Sequence, residues 1–142
     1  DMSAAKRAAL RAENRLRNNI EALNERRSAE NRPVTTAYVA LHVGEVFYGN
    51  IGSEQRLDFT VVGPAVNEVS RIASMCRSVE REFLVSSAFL DGLGASGRRH
   101  FVSTGRYALR GIGRAQDLFT LDPSIRTEGH AASPFEQYLQ GR

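Results

Sequence analysis

Two polar side chains, Asn67 and Arg71, have types and a spacing that could do chemistry. They lie in residues 65–78, where apolar residues recur at helical spacing, so the segment predicts a helix. A separation of four residues places both side chains on one face of that helix. A guanidinium is a rigid fork of donors that keeps its charge, so Arg71 could stabilise negative charge on a ligand. The same spacing also occurs on the solvent face of ordinary helices, and the pair alone does not decide between the two interpretations.

Other familiar catalytic arrangements are absent from the sequence. There is no G-x-x-x-x-G-K-[ST] loop, and the glycines at 44, 49 and 52 lie in and beside a predicted hairpin, which excludes a dinucleotide fingerprint. No G-x-S-x-G segment marks a serine hydrolase of that type. The histidines and aspartates show no ligand spacing, and His42, inside a predicted strand, is interpreted as a packing residue. The single Cys76 excludes a disulfide framework.

The composition is that of one folded domain, or of a large fragment of one. The chain has 142 residues, of which 42% are hydrophobic and 25% charged, so it can build a core. No run of eighteen apolar residues and no secretory signal occur, and the cysteine count fits a reducing compartment. We therefore expect a cytoplasmic location with no membrane segment in this chain.

A long helix is predicted for residues 4–30, with Ser3 as its N-cap. Its small and apolar residues recur at spacings of three and four, and this stripe is expected to pack on a sheet. The stripe consists of Ala5, Ala9, Ala12, Leu16, Ile20 and Leu23. Residues 1–32 also hold eight Lys or Arg and five acids, which accounts for the whole net charge of +3. A solvated helix packed by this stripe explains the charge better than a helix that binds nucleic acid or a membrane.

The rest of the chain predicts strands with two short helices. Residues 34–48 predict a strand, and residues 43–62 predict a long antiparallel hairpin around a Gly/Asn turn cluster. Pro64 then suits the first turn of the helix at 65–78. The further elements are a strand at 83–85, a short helix capped by Ser86 and Ser87, a loop at 92–97, and strands at 100–109 and 116–121. Residues 122–142 predict a tail, in which Phe135, Tyr138 and Leu139 can dock as one amphipathic turn.

Two runs of sequence around the hairpin carry a family pattern: LHVGEVFYGNIG at 41–52 and RLDFTVVGPAVNEVSRI at 56–72. They resemble the C-terminal half of the catalytic domain of class III adenylate/guanylate cyclases. That family has a strand with H-x-G-x-V-x-x-G-x-x-G, followed by Y/F-T/D-V-x-G-x-x-V-N-x-A/V-x-R. A weaker match, STGRYALRG at 103–111 followed by QDLF at 116–119, is similar to the closing strands of the same domain. The resemblance covers residues 36–121 in the family's order.

The resemblance implies an α/β (α+β) fold of the ferredoxin-like nucleotide cyclase type. We expect a mostly antiparallel sheet with helices packed on one face, and only the second half of the domain. Residues 1–121 would form this partial catalytic domain and residues 122–142 the tail. In the family, the hairpin and the sheet edge build a head-to-tail homodimer, so residues 43–62 are expected to bind a second copy.

The resemblance also implies a reaction and site residues. The reaction converts ATP into 3′,5′-cyclic AMP and pyrophosphate in signal transduction. Catalytic roles fall to Arg71, which would stabilise charge on the phosphoryl oxygens, and to Asn67, which would orient the ribose. Thr60, with its neighbour Val61, falls at the position that reads the purine base. Thr at this position points to ATP as the substrate, but a hydroxyl both donates and accepts, so GTP stays open.

The family's two metal-binding aspartates and its adenine-reading lysine belong to an earlier strand and hairpin, for which this sequence shows no match. The resemblance therefore implies Mg²⁺ or Mn²⁺ as cofactor, with no metal ligand in this chain. We expect the chain alone to be inactive for this reason.

Two other functions remain open. A cyclase-like domain that only dimerises and regulates would keep the fold without the chemistry, although it would have no use for both Asn67 and Arg71. A nucleic-acid-binding module led by the basic helix is disfavoured by the balanced charge of residues 33–142.

Overall fold

The computed structural model describes residues 1–126 and 133–141, with backbone only for Arg56, Leu57 and Arg126. Six strands and five helices occur in these residues. The helices are α1 (Met2–Ala29), α2 (Pro64–Ser78), α3 (Ser87–Leu90), α4 (Gly94–Arg98) and α5 (Pro134–Leu139), and a 3₁₀ turn spans Pro123–Arg126. The strands are β1 (Val39–Leu41), β2 (Phe47–Ser53), β3 (Arg56–Val62), β4 (Phe83–Ser86), β5 (Phe101–Tyr107) and β6 (Gln116–Leu121).

The strands form a four-stranded sheet and a separate hairpin. The sheet has the order β1-β4-β6-β5, in which β1 and β4 are parallel and the other two pairs are antiparallel. Among the described residues, strands β2 and β3 pair only with each other, from Phe47 opposite Val62 to Ser53 opposite Arg56. The hairpin between β1 and α2 is thus an appendage of the sheet. None of the helices in the described ranges is long and apolar enough to cross a membrane.

Helices cover both faces of the four-stranded sheet. Successive residues of a strand point to opposite faces, and all four residues of β4 are buried. Phe83 and Val85 pack with α1, α3 and α5, whereas Leu84 packs with Ile72 and Cys76 of α2. The predicted α+β class is confirmed, but the helices lie on both faces rather than on one. The reason is that β4 is apolar on both sides, so each side needs a cover.

Helix α1 buries a different face from the predicted stripe. Its buried residues are Lys6, Leu10, Glu13 and Arg17, while Leu16 of the stripe is 40% exposed. The helix also begins earlier than predicted, because the Asp1 carboxylate, and not Ser3, caps it by accepting a hydrogen bond from the Ser3 backbone N–H at 3.0 Å.

The buried charges of α1 all have partners. The Arg17 guanidinium contacts the carboxylates of Glu13 and Glu82 at 3.1 and 2.9 Å and donates to the backbone carbonyl of Ala37 at 3.0 Å. Lys6 donates to backbone carbonyls at the end of α3 and lies over the Phe89 ring. Pairing of this kind makes burial of charged groups tolerable, so the charged face packs inwards.

The predicted strand at 34–48 is divided in two. Only Val39–Leu41 joins the sheet, and the chain then leaves it until Phe47, where the hairpin begins. The break contains Gly44, at which a β-carbon would lie 2.7 Å from the Ala65 side chain. The start of α2 thus occupies the space beside Gly44.

Part of the predicted tail is ordered helix. Residues 134–139 form α5, whose N-terminus carries a capping box between Ser133 and Glu136. Phe135, Tyr138 and Leu139 are buried against the sheet cluster, as predicted for a docked turn. The loop predicted at 92–97 contains the short helix α4. Residues 127–132 and 142 of the predicted tail lie outside the described residues.

Candidate active site

The predicted site residues gather around the junction between β3 and α2. Thr60 is half-buried in β3 opposite Gly49, and Val61 is 46% exposed opposite Tyr48. Gly63 follows with a φ of 138°, a conformation that favours glycine. A β-carbon at Gly63 would also lie 3.2 Å from the Glu45 carbonyl oxygen. The chain can therefore turn from the hairpin directly into α2.

Asn67 and Arg71 lie on the exposed side of α2. The opposite side of the helix buries Ala65, Ile72 and Cys76. Neither Asn67 nor Arg71 forms a hydrogen bond or ion pair with any side chain that the structure describes, and both are exposed. Four residues of helix separate their Cα atoms by about 6 Å along the axis. Both polar groups are therefore available to one ligand.

Asn67 also borders a cleft between the start of α2 and the β5–β6 connection. The cleft has a volume of about 450 Å³. Its lining residues are Gly63, Pro64, Asn67, Glu68, Gly111, Ile112 and Gly113. The structure thus brings Asn67 to this cleft, whereas Arg71 lies one turn further along α2 and Thr60 and Val61 lie on the hairpin side. The four predicted residues surround the β3–α2 junction without closing a pocket by themselves.

A hydrogen-bonded group beside Asn67 was missed by the sequence analysis. His42 contacts the Glu68 carboxylate through Nε2 at 2.8 Å and the Ser86 hydroxyl through Nδ1 at 2.7 Å. Its side chain is 7% exposed, so the packing interpretation of His42 was incomplete. The one signal in the sequence is the place of Glu68 next to Asn67, and nothing local connects it with residue 42 or 86.

The reactive groups near α2 have ordinary structural roles. Burial raises the pKa of the Cys76 thiol, although the positive charge of Arg17 lowers it in part. Cys76 therefore stays a neutral packing residue at physiological pH and is no nucleophile.

In residues 1–126 and 133–141, no three His, Cys, Asp or Glu side chains come together in a way that could hold a metal ion.

Comparisons of the sequence give distant relatives and no family. No protein-family model matches the chain. An uncharacterized protein of Mycobacterium tuberculosis is 32% identical over 92 residues, which cover 65% of this chain and 16% of that protein. An uncharacterized protein of Mycobacterium bovis is 32% identical over 85 residues, which cover 60% of this chain and 16% of that protein. The chain therefore matches only about a sixth of the length of these curated relatives.

Solved structures with a similar fold are nucleotide cyclases. The adenylyl cyclase CyaB from P. aeruginosa superposes with a TM-score of 0.68 and 22% identity over 87% of this chain and 62% of that one. The guanylyl cyclase Cya2 superposes with a TM-score of 0.55 and 23% identity over 72% of this chain and 50% of that one. This chain therefore has the cyclase fold, as the α+β prediction required, and it spans less than two thirds of either structure.

Proposed function

We propose that this chain is part of the catalytic domain of a class III nucleotide cyclase that converts ATP into 3′,5′-cyclic AMP and pyrophosphate. The observation that carries the proposal is the pair Asn67 and Arg71, exposed and unpaired among the described residues on one side of α2. The cyclase fold supports it, because α2 follows the hairpin at the place where the sequence pattern of the family puts this pair.

The reaction sets demands that these side chains can meet. The ribose 3′ oxygen forms a bond to the α-phosphorus, the bond from that phosphorus to pyrophosphate breaks, and the 3′ hydroxyl releases its proton to the solvent. Negative charge spreads over the phosphoryl oxygens in the transition state. The Arg71 guanidinium is suited to donate hydrogen bonds to these oxygens, and the Asn67 amide is suited to hold the ribose.

Thr60 and Val61 are proposed to contact the purine. The Thr60 hydroxyl can donate to or accept from a base edge, and the exposed Val61 offers an apolar surface. A hydroxyl discriminates adenine from guanine less sharply than a carboxylate does. ATP is the proposed substrate, and GTP is the competitor to test.

A Mg²⁺ or Mn²⁺ ion would supply charge stabilisation at the phosphates when bound. The described residues do not fit such an ion, because no suitable cluster of ligands exists among them. The ligands are therefore proposed to lie outside this chain. The proposed partner is a second copy, bound through residues 43–62, and the complete domain is proposed to act as a homodimer in the cytoplasm.

The test is steady-state kinetics of a complete domain that carries this sequence, with ATP and with GTP. Arg71→Ala should lower kcat by roughly 10²–10³, the usual loss for one donor aimed at transition-state charge. KM should change far less, because the contact forms fully only in the transition state. Arg77→Ala is the matched control, since Arg77 is an exposed arginine of α2 that packs over the Tyr38 ring.

The result of this test separates the proposal from its nearest rival. If Arg71→Ala keeps near-normal kcat at an unchanged melting temperature, Arg71 has no catalytic role and the mechanism is wrong. A complete domain without any cyclase activity would favour a domain that only dimerises. Nucleic-acid binding has less support, because two cations of α1, Lys6 and Arg17, are buried with partners rather than exposed.

A further inference from the structure

Three polar side chains form a continuous hydrogen-bonded chain across the end of the sheet. His42 directly follows β1, Ser86 ends β4, and Glu68 lies in α2. The His42 ring joins the other two at 2.8 Å and 2.7 Å, and Ser86 is almost fully buried. Residues distant in sequence are thereby connected, and Glu68, at one end of this chain, lines the cleft that Asn67 borders.

The direction of each hydrogen bond follows from what each group can donate. The Phe89 backbone N–H donates to the Ser86 oxygen at 3.2 Å, so the Ser86 hydroxyl is free to donate its own hydrogen to His42 Nδ1. Ionised Glu68 can only accept, so His42 Nε2–H donates to it. A neutral imidazole with its hydrogen on Nε2 satisfies both contacts. Of the two neutral tautomers of His42, only this one satisfies both contacts.

The first turn of α2 has no side-chain cap. Its N-cap is Gly63, which has no side chain to accept a hydrogen bond from the turn. Ala65 instead packs against Gly44, and Glu68 reaches the His42 ring that lies beside the same glycine. Glu68 directly follows Asn67. A shift of Glu68 would therefore move Asn67 with it.

We infer that Glu68 is a positioning residue for Asn67, held through the hydrogen-bonded chain of Glu68, His42 and Ser86. The inference rests on the proposed function, because it assigns Asn67 the task of orienting the ribose. Glu68 itself touches no substrate in this role. It fixes the first turn of α2 relative to β1 and β4, so that the Asn67 amide meets the ligand in one place.

The kinetic test is a double-mutant cycle in the complete domain. Glu68→Ala should lower kcat about 10-fold, less than the roughly 100-fold that a 1 Å misplacement can cost. Glu68→Gln should recover most of this loss, because the amide oxygen can still accept from Nε2–H. In an Asn67→Ala background, Glu68→Ala should have little further effect, since the group that it positions is gone. Glu80→Ala, which removes an exposed carboxylate just beyond α2, is the control and should leave kcat unchanged.

A second measurement uses the chain itself and needs no activity. Nitrogen NMR of His42 should show hydrogen on Nε2, and Glu68→Ala should abolish the preference for this nitrogen. Hydrogen exchange at the Asn67 amide should become at least about 10-fold faster in Glu68→Ala, because the turn opens more often.

Each outcome bears on a separate claim. Fully additive losses in the cycle, or a His42 ring without hydrogen on Nε2, would overturn the positioning role and leave the cyclase proposal standing. A normal kcat in both Arg71→Ala and Asn67→Ala would instead remove the cyclase mechanism, while the tautomer of His42 would still report whether the hydrogen-bonded chain exists.

Discussion

Gly44 lies so close to Ala65 that a β-carbon on Gly44 would stand 2.7 Å from the Ala65 β-carbon. The same β-carbon would stand 3.3 Å from His42 Nε2. The H-x-G spacing of residues 42–44 thus has a physical meaning in this chain. The histidine bonds to α2, and the glycine leaves room for α2 to approach.

Gly44→Ala should therefore destabilise the chain by about 1–3 kcal/mol, the usual cost of inserting a methyl group into a filled space. Urea denaturation followed by circular dichroism measures the change. Gly49→Ala is the control, because a β-carbon at Gly49 meets no atom of the described part of the chain within 4 Å and its φ is not positive. An equal, small effect of both substitutions would show that α2 does not press on residue 44.

The chain alone should produce no cyclic AMP from ATP and Mn²⁺. The reason is that its described residues offer no metal-binding cluster, and the proposed ligands lie elsewhere. A sensitive immunoassay for cyclic AMP measures this, with an active complete domain in the same buffer as the positive control. Turnover above the blank would reveal a metal site within these 142 residues.

The hairpin should mediate self-association. Phe47, Tyr48 and Phe59 are 67%, 73% and 69% exposed on a two-stranded element, and exposed apolar surface of this kind seeks a partner. Phe59→Glu should weaken the dimer at least about 10-fold in sedimentation equilibrium, which corresponds to roughly 1.4 kcal/mol. Leu16→Glu, at an exposed leucine of α1 outside the hairpin and the sheet, is the control and should leave association unchanged. A strictly monomeric profile at high concentration would contradict the prediction.

Acidification should destabilise the docked helix α5 through His100. Burial, with a smaller effect of the nearby Arg99 charge, lowers the pKa of His100 from its usual 6.5. The ring packs edge-on against Phe135 and also meets Tyr138, and its Nε2 is buried without a partner among the described residues. The unfolded chain thus binds a proton at His100 more readily than the folded one. The contribution of the neutral His100 ring to stability is fully present above pH 6.5 and is lost as the pH falls below that value.

Melting temperatures at about pH 7.5 and about pH 5 test this prediction. The wild-type chain should melt lower at the acidic pH, and His100→Phe should lose most of the difference. Hydrogen bonds from Ser124 lower the pKa of Asp122 from its usual 3.8, so that group acts only at still lower pH. If His100→Phe keeps the full difference in melting temperature, another group is responsible for the pH dependence.

Local patterns predicted most elements but misjudged the buried face of α1. Hydropathy selected the stripe that contains Leu16, whereas the chain buries Glu13 and Arg17. The reason is that hydropathy treats each residue as if it had no partner. Arg17 gains its partner Glu82 from 65 residues further along the sequence, which no periodicity reports.

The candidate site was likewise predicted only in part. The separation of four residues correctly put Asn67 and Arg71 on one exposed side of α2. The contact between His42 and Glu68 was not predictable, because it depends on how α2 packs beside β1. Sequence motifs therefore located the residues proposed to meet the ligand, while their supporting contacts needed the structure.

The charged inner face of α1 has a consequence during protein synthesis. The ribosome makes Arg17 long before Glu82, and at roughly 5–20 residues per second the 65-residue interval lasts several seconds. Until then the inner face of α1 presents Lys6, Glu13 and Arg17 beside Leu10. Three charged side chains on this face are expected to keep the nascent helix hydrated until β4 is made.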